Sequence, residues 1–367
     1  MGPQCCCCKT TVTANEQRKW MEEGGGTSSV YVKSTPDDPA DPRQIEFGLD
    51  LRPAATAAYA IGTMAPDWKN KRIYFSYIDD PNGFMGTPST VVKWWNAKSN
   101  INGSGGTHVK TMGGFWLDSM AADPDNEHIY YVGNDDPYPD YSANVAVDLK
   151  RMDYDGSNVT TLDTIDVFRT GGTIMSKGVG SLLVHRKEQR LYYVKRHNIG
   201  TSTASDWQID ICYRDFADMT TEVSIYNVVC FSTLSAATAI RLINCLSFDV
   251  EDEKIYWCEH YQNSGFLGNV QRANLDGTGV ELLYASASPY AVNFARFSNS
   301  KKKIFHEDFD SNPTPPRDGF YVREKDWTLI EQLGIDGLPE TNGSPFPEPG
   351  SSYLWCGYES TGSGVKP

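Results

Sequence analysis

The chain's most suggestive chemistry lies in three segments that set carboxylates ahead of a proline: Ile78-Asp79-Asp80-Pro81-Asn82, Asn134-Asp135-Asp136-Pro137-Tyr138 and Asp308-Phe309-Asp310-Ser311-Asn312-Pro313. Oxygen-rich loops could take calcium, although the spacing is not that of a calcium-binding loop, and Asp or Asn before Pro is also ordinary turn chemistry. Rings accompany the acids: Tyr138 and Tyr141 follow Asp136, while Trp207 and Tyr261 occupy corresponding stretches further along, where Glu259 also falls. Aromatic anchors in a negative field suit a basic, partly apolar protein or peptide segment, with charge steering the approach and buried rings supplying the affinity. The candidate binding residues are Asp79, Asp80, Asp135, Asp136, Tyr138, Tyr141, Trp207, Tyr261 and Asp310.

A catalytic alternative rests on fewer residues. Asn244 and Asn293, with Asp118 a weaker third, could converge as oxygen ligands of a metal-dependent hydrolase, and hydrogen bonding to buried backbone is their competing role. No nucleophile elbow, phosphate loop, dinucleotide fingerprint or H-E-x-x-H zinc motif occurs, and the six histidines are scattered. Binding is expected rather than catalysis, with no cofactor beyond the calcium that the acidic loops could hold. Cys5, Cys6, Cys7 and Cys8 form a run near Gly2. Clustered cysteines can be acylated, and two chains anchor a protein stably, so the run is either a lipid anchor or a stretch without a role.

The 367 residues carry 33 Lys+Arg against 47 Asp+Glu, a net charge of −14, and aromatic residues make up 12%. Recurring aromatic and β-branched residues exclude disorder over most of the chain, and no apolar run is long enough to span a bilayer. Strong acidity with scattered lysines excludes a nucleic-acid groove. Nine cysteines are an odd number without C-x-x-C pairs outside the run, which excludes a regular disulfide framework or zinc cage. No apolar signal core follows Met1. A cytoplasmic location is expected, with membrane association through Cys5 to Cys8, or an extracellular one if a signal peptide is missing from this sequence.

One pattern repeats, a polar pair followed by an aliphatic residue and aromatics: Lys71-Arg72-Ile73-Tyr74-Phe75, Glu127-His128-Ile129-Tyr130-Tyr131, Gln189-Arg190-Leu191-Tyr192-Tyr193, Glu253-Lys254-Ile255-Tyr256-Trp257 and, loosely, Lys302-Lys303-Ile304-Phe305-His306. Successive aliphatic positions are 56, 62, 64 and 49 residues apart, and Ser29-Val30-Tyr31-Val32 is a weaker sixth copy. Units of this size, broken by Gly, Pro and Asp-Gly turns, describe radially repeated four-stranded sheets. Each unit reads as an inner strand such as Phe115-Trp116-Leu117-Asp118, an acidic turn such as Asp123-Pro124-Asp125-Asn126, the aromatic strand, a long loop, and a third strand ending in a hairpin. The hairpin signals are Asp155-Gly156, Asp276-Gly277, Asp336-Gly337 and Asn102-Gly103. The long loops, residues 76 to 90, 132 to 145, 194 to 207, 259 to 268 and 307 to 318, then share one face.

Lys254-Ile255-Tyr256-Trp257-Cys258-Glu259 with Val270-Gln271-Arg272-Ala273-Asn274-Leu275-Asp276-Gly277, and Tyr130-Tyr131 with Leu149-Lys150-Arg151-Met152-Asp153-Tyr154-Asp155-Gly156, resemble the YWTD repeat of low-density-lipoprotein-receptor-type propellers. The resemblance implies a six-bladed fold and protein binding. The expected architecture is all-β: a six-bladed β-propeller of four-stranded antiparallel sheets over residues 28 to 358. A flexible arm, 1 to 27, would precede it, with at most a short helical stretch around Glu16 to Glu22, and a tail, 359 to 367, would follow. Val30 would begin a blade that the strand around Tyr353 to Tyr358 completes, pairing the N- and C-terminal strands and hiding two sheet edges. Pairing of Asp249 with Lys254 across their turn would also set Cys245 opposite Cys258, unless a bulge intervenes. Six propeller blades are also a setting for lactonase-type hydrolases, the catalytic alternative.

Overall fold

Neighbouring residues on a strand face opposite ways, so aromatic doublets such as Tyr130-Tyr131 and Tyr192-Tyr193 call for sheets covered on both sides. The computed structural model has that arrangement. It describes residues 17–21, 30–34, 43–47, 61–67, 69–70, 72–79, 89–96, 107–113, 116–134, 145–167, 179–199, 207–230, 240–261, 268–285, 290–298, 302–310, 317–333, 344–347 and 354–357. Strands β1 (Gln17–Met21), β2 (Val30–Ser34) and β3 (Arg43–Phe47) form an antiparallel sheet.

Five four-stranded antiparallel sheets follow in chain order. Sheet 1 comprises β4 (Ile61–Asp67), β5 (Arg72–Asp79), β6 (Ser89–Asn96) and β7 (Thr107–Gly113). Sheet 2 comprises β8 (Trp116–Asp123), β9 (His128–Asn134), β10 (Val145–Asp153) and β11 (Thr160–Val167). Sheet 3 comprises β12 (Val179–His185), β13 (Arg190–Asn198), β14 (Trp207–Asp215) and β15 (Asp218–Cys230). Sheet 4 comprises β16 (Ile240–Asp249), β17 (Lys254–Tyr261), β18 (Gly268–Asn274) and β19 (Glu281–Ala285). Sheet 5 comprises β20 (Tyr290–Ser298), β21 (Lys303–Asp310), β22 (Arg317–Arg323) and β23 (Leu329–Leu333), and β24 (Ser344–Pro347) pairs with β25 (Leu354–Gly357).

The first strands stand side by side in sequence, β4 against β8, β8 against β12, β12 against β16, β16 against β20 and β20 against β24, while β1 lies beside β25. Gln17–Met21 is thus a strand paired with β2, in place of the expected helical stretch, and Val30 has a strand before it.

Every repeat of the aromatic pattern forms the second strand of its sheet. The doublets divide between neighbours. Tyr131 packs with Met120 and Tyr74 at the seam of sheets 1 and 2, whereas Tyr130 packs with Leu182 and Leu191 at the seam of sheets 2 and 3. Tyr193 and Tyr192 split likewise between the seams with sheets 2 and 4, and Trp257 and Tyr256 between those with sheets 3 and 5. Among the described residues the core is divided rather than central. Four apolar seams hold the described sheets together, each built from two of them.

The turn from first to second strand is closed the same way in sheet after sheet. Asp67 accepts hydrogen bonds from the backbone amide of Asn70 at 3.0 Å and its Nδ2 at 2.8 Å; Asp123 does the same for Asp125 and Asn126, and Asp249 for Glu251 and Asp252. In sheet 3 a histidine takes this place: His185 Nδ1 accepts from the Glu188 amide at 3.1 Å. In sheets 2 to 5 the turn ends in a left-handed residue, with φ of 56° at Glu127, 54° at Gln189, 52° at Glu253 and 55° at Lys302. The first member of the polar pair in those four copies of the sequence repeat is therefore a turn residue. The carbonyls of Glu127, Gln189 and Glu253 accept the amides of Tyr154, Phe216 and Leu275, tying the turn to the third strand.

The hairpins from third to fourth strand lean on the preceding sheet. Gly156 and Gly277 have φ of 82° and 84°, and a β-carbon at either would collide with the backbone of Val109 in β7 or of Ile225 in β15. In sheet 5 the hairpin is Glu324 to Thr328, and Trp327, with φ of 71°, holds the glycine's place. Its indole stacks on Tyr284 of sheet 4, ring centroids 5.0 Å apart, so a large side chain fills the space that close backbone contact fills elsewhere. Asp336-Gly337 lies beyond β23 and outside the described residues, as does Asn102-Gly103; the expectation that Asp336-Gly337 is the third-strand hairpin is corrected to Asp326-Trp327.

Candidate functional site

At the short-turn end, charges are spent on one another. Asp125 of sheet 2 receives Lys69 of sheet 1 at 2.8 Å and a bidentate Arg186 of sheet 3 at 2.6 and 2.7 Å, and Arg186 holds its carboxyl down at about 2. Lys187 reaches Glu253 of sheet 4 at 2.5 Å. Lys302 and Lys325 of sheet 5 pair back to Glu251, Asp249 and Asp252 of sheet 4. Exposed pairs of this kind each stabilise little, but together they link all five sheets.

The opposite end carries the candidates. Asp79 ends β5, Trp207 starts β14, Tyr261 ends β17 and Asp310 ends β21, each at the join of second and third strands. These four residues thus come from four sheets to one end of the molecule; their side chains lie outside the described residues. Asp80, Asp135, Asp136, Tyr138, Tyr141 and the lipidation candidates Cys5, Cys6, Cys7 and Cys8 also lie outside them.

Behind this end are two buried carboxylates. Asp210 accepts from Gln208 Nε2 and Ser224 Oγ, both at 2.8 Å, with His197 Nδ1 3.4 Å away. Glu259 is only 1% exposed and accepts from Tyr226 of sheet 3 at 2.7 Å and from Trp257 Nε1 at 3.2 Å. The expectation that Glu259 belongs to the loop acids is corrected: it fastens sheets 3 and 4. A third group fastens sheets 2 and 3. Arg214 donates to Tyr193 at 2.8 Å, to Asp163 of β11 at 2.5 Å and to Glu222 at 3.3 Å, while Lys195 meets the other oxygen of Glu222 at 2.8 Å. Satisfied networks of this kind fix geometry rather than perform chemistry.

The inner strands break their ladder near the loop-bearing end. Registers shift between Ile61 and Met64, Leu117 and Ser119, Gly180 and Leu183, Asn244 and Ser247, and Val292 and Phe294. Asp118 and Asn293 are the extra residues of two of these bulges, and Asn244 borders a third; bulges recur beside functional sites because they re-aim the chain. The side chains of all three lie outside the described residues. Among the described residues, no group of three or more His, Cys, Asp or Glu could hold a metal ion. The bulge also alters the thiol pairing. Asp249 does pair with Lys254, but the shift sets Asn244, not Cys245, opposite Cys258. Cys212 and Cys258 are buried and not in a disulfide, and burial raises the thiol of Cys212 far above its usual range.

No protein-family model matches the chain, and no curated protein does. Among solved structures, one of a nidogen/laminin complex aligns with a TM-score of 0.50 at 11% identity, over 86% of this chain and 92% of that one. A protein from Lactobacillus plantarum aligns with a TM-score of 0.50 at 12% identity, over 88% and 83% of the two chains. An oligogalacturonate lyase in complex with manganese aligns at 9% identity over 87% and 74%, with a TM-score of 0.46, too distant to bear on this chain's chemistry. The neighbours are β-propellers, and the likeness shows that fold alone.

Proposed function

We propose that this β-propeller binds a basic, partly apolar protein or peptide segment at its loop-bearing end and has no catalytic role. One observation supports the reading: Asp79, Trp207, Tyr261 and Asp310, two acids and two rings, gather from four sheets at the end opposite the turns braced by ion pairs. Six blades are part of the proposal. The sixth would join β24 and β25 to β1, β2 and β3, as the contacts of β24 with β20 and of β1 with β25 support. Acylation of Cys5 to Cys8 would hold such a protein at a membrane.

A second reading, a metal-dependent hydrolase of lactonase type, is favoured only by the positions of Asp118 and Asn293 at inner-strand bulges. Calcium or manganese binding lost in Asp118→Asn, together with lactone hydrolysis, would select it.

The binding reading is tested with a basic peptide selected from a displayed random library. Replacing Asp79, Asp80, Asp135 and Asp136 with asparagine is expected to slow association about tenfold and to flatten its salt dependence. Tyr138→Ala is expected to speed dissociation. Peptide binding indifferent to both changes would overturn the reading.

A further inference from the structure

Asp210, Cys212 and Arg214 alternate along β14 on the face turned to sheet 2, where Cys212 packs at the seam and Arg214 reaches Asp163. Tyr193, Lys195 and His197 alternate beside them on β13. Among the described residues this row holds three carboxylates and two Lys or Arg cations. Asp163 takes Arg214, and Glu222 takes Lys195 and Arg214. Asp210, the carboxylate nearest the loop-bearing end, takes neither, although only 4% of its side chain is exposed. A buried carboxylate without a cation is costly, and it marks a place where a positive group would be held strongly.

The two oxygens of Asp210 are used differently. Oδ1 accepts from Gln208 and Ser224, both at 2.8 Å. Oδ2 faces Nδ1 of His197 at 3.4 Å, and that nitrogen is buried without a hydrogen bond. The His197 side chain is nonetheless 30% exposed, so the rest of its ring forms the open surface over Asp210. His197 pairs with Gln208 and Asn198 with Trp207, which sets the ring one residue from the strand end where the binding candidate Trp207 begins β14. Ile199, just beyond the strand, is 43% exposed.

We propose that His197 is a cation-contact residue of the loop-bearing end: with Nδ1 donating to Asp210 Oδ2, its Nε2 accepts a hydrogen bond from an arginine or lysine side chain of the bound segment. The inference takes its partner from the binding reading above and names the group that partner inserts. Asp210 is the positioning residue, because a carboxylate behind Nδ1 fixes the tautomer and turns the acceptor nitrogen outward. A small turn of the ring shortens the 3.4 Å gap to a hydrogen bond once a cation pulls on Nε2. The incoming charge balances the third carboxylate of the row, whereas an anion would meet it through the ring. Ile199 offers apolar surface to the methylenes of the same side chain.

The test is nitrogen NMR of the full chain labelled at histidine, titrated with N-acetyl-arginine amide and separately with the uncharged N-acetyl-norleucine amide. A saturable shift of the His197 Nε2 resonance is expected with the arginine compound alone. In Asp210→Asn, which keeps the shape and removes the charge, the same shift is expected to need about tenfold more of it. His197→Leu is expected to bind the selected basic peptide about tenfold more weakly. A His197 resonance unmoved by the arginine compound, or moved by zinc chloride alone, would overturn the proposal. Peptide binding that depends on the loop aspartates but not on His197 would overturn it too and leave the binding reading standing. A His197 response to the arginine compound in a chain that binds no basic peptide would support the contact and sink the wider reading.

Discussion

Gly277→Ala is expected to lower stability by about 4 kcal/mol, because a left-handed backbone and a steric overlap add at one position. At φ of 84°, a β-carbon would stand 1.9 Å from the carbonyl oxygen of Ile225 and 2.7 Å from its carbonyl carbon, and neither is the end of a flexible side chain. Relief requires sheet 4 to move away from sheet 3, which opens the seam packed by Leu275, Tyr192 and Phe248. Gly156→Ala should cost less, about 3 kcal/mol, since its nearest atom, the Val109 oxygen, is 2.6 Å away. Gly279→Ala should cost only about 1 kcal/mol, because its closest neighbour is the Asn274 side-chain amide at 3.2 Å, which can turn aside. Denaturant midpoints of the three variants give the order directly. Equal losses, or a Gly277 variant close to wild type, would contradict close packing of hairpins on the preceding sheet.

Below neutral pH, sheet 3 is expected to weaken first. His185 stands where other sheets have an aspartate, and it is buried against Phe248, ring centroids 4.6 Å apart at 84°. With Nδ1 accepting from Glu188, the proton sits on Nε2, which faces aromatic surface rather than a polar partner. Burial, reinforced by the nearby cations Lys187 and Arg190, pulls its pKa down from 6.5 to about 4. The folded state therefore favours the neutral ring while the unfolded chain takes up a proton. The contribution is whole above pH 6.5 and is lost as the pH falls through 4, a total of about 3 kcal/mol. His185→Asn can keep the bond to the Glu188 amide without titrating. The gap between wild-type and variant stability should shrink by that amount between pH 7 and 4, and parallel curves would show that His185 is not the titrating group.

Much of the architecture was legible because the aromatic doublets obey a rule of covered sheets, and their strands fall second in every four-stranded sheet. The acidic turns were legible for a related reason, since Asp123 and Asp249 cap backbone amides that any tight turn must satisfy. His185 in the same role was not, because no carboxylate marks it. Trp327 was hidden more deeply. A tryptophan with positive φ carries no turn signature, whereas Asp336-Gly337 nearby has the composition of a tight turn. Register arithmetic failed at Cys245 because a bulge leaves no trace in composition, whereas the turn pair Asp249 and Lys254 next to it held. Of the site, the sequence indicated which strand ends share one end of the sheets. It could not show that Glu259 turns inward to Tyr226, since a buried and an exposed carboxylate read alike.

The central claim, that the loop-bearing end binds while the short-turn end only braces the sheets, is tested most directly by hydrogen exchange with and without the selected basic peptide. Slowed exchange is predicted in segments 76–90, 132–145, 194–207, 259–268 and 307–318, with segments 67–72, 123–128, 185–190 and 249–254 unchanged. Protection confined to those short turns would contradict the account.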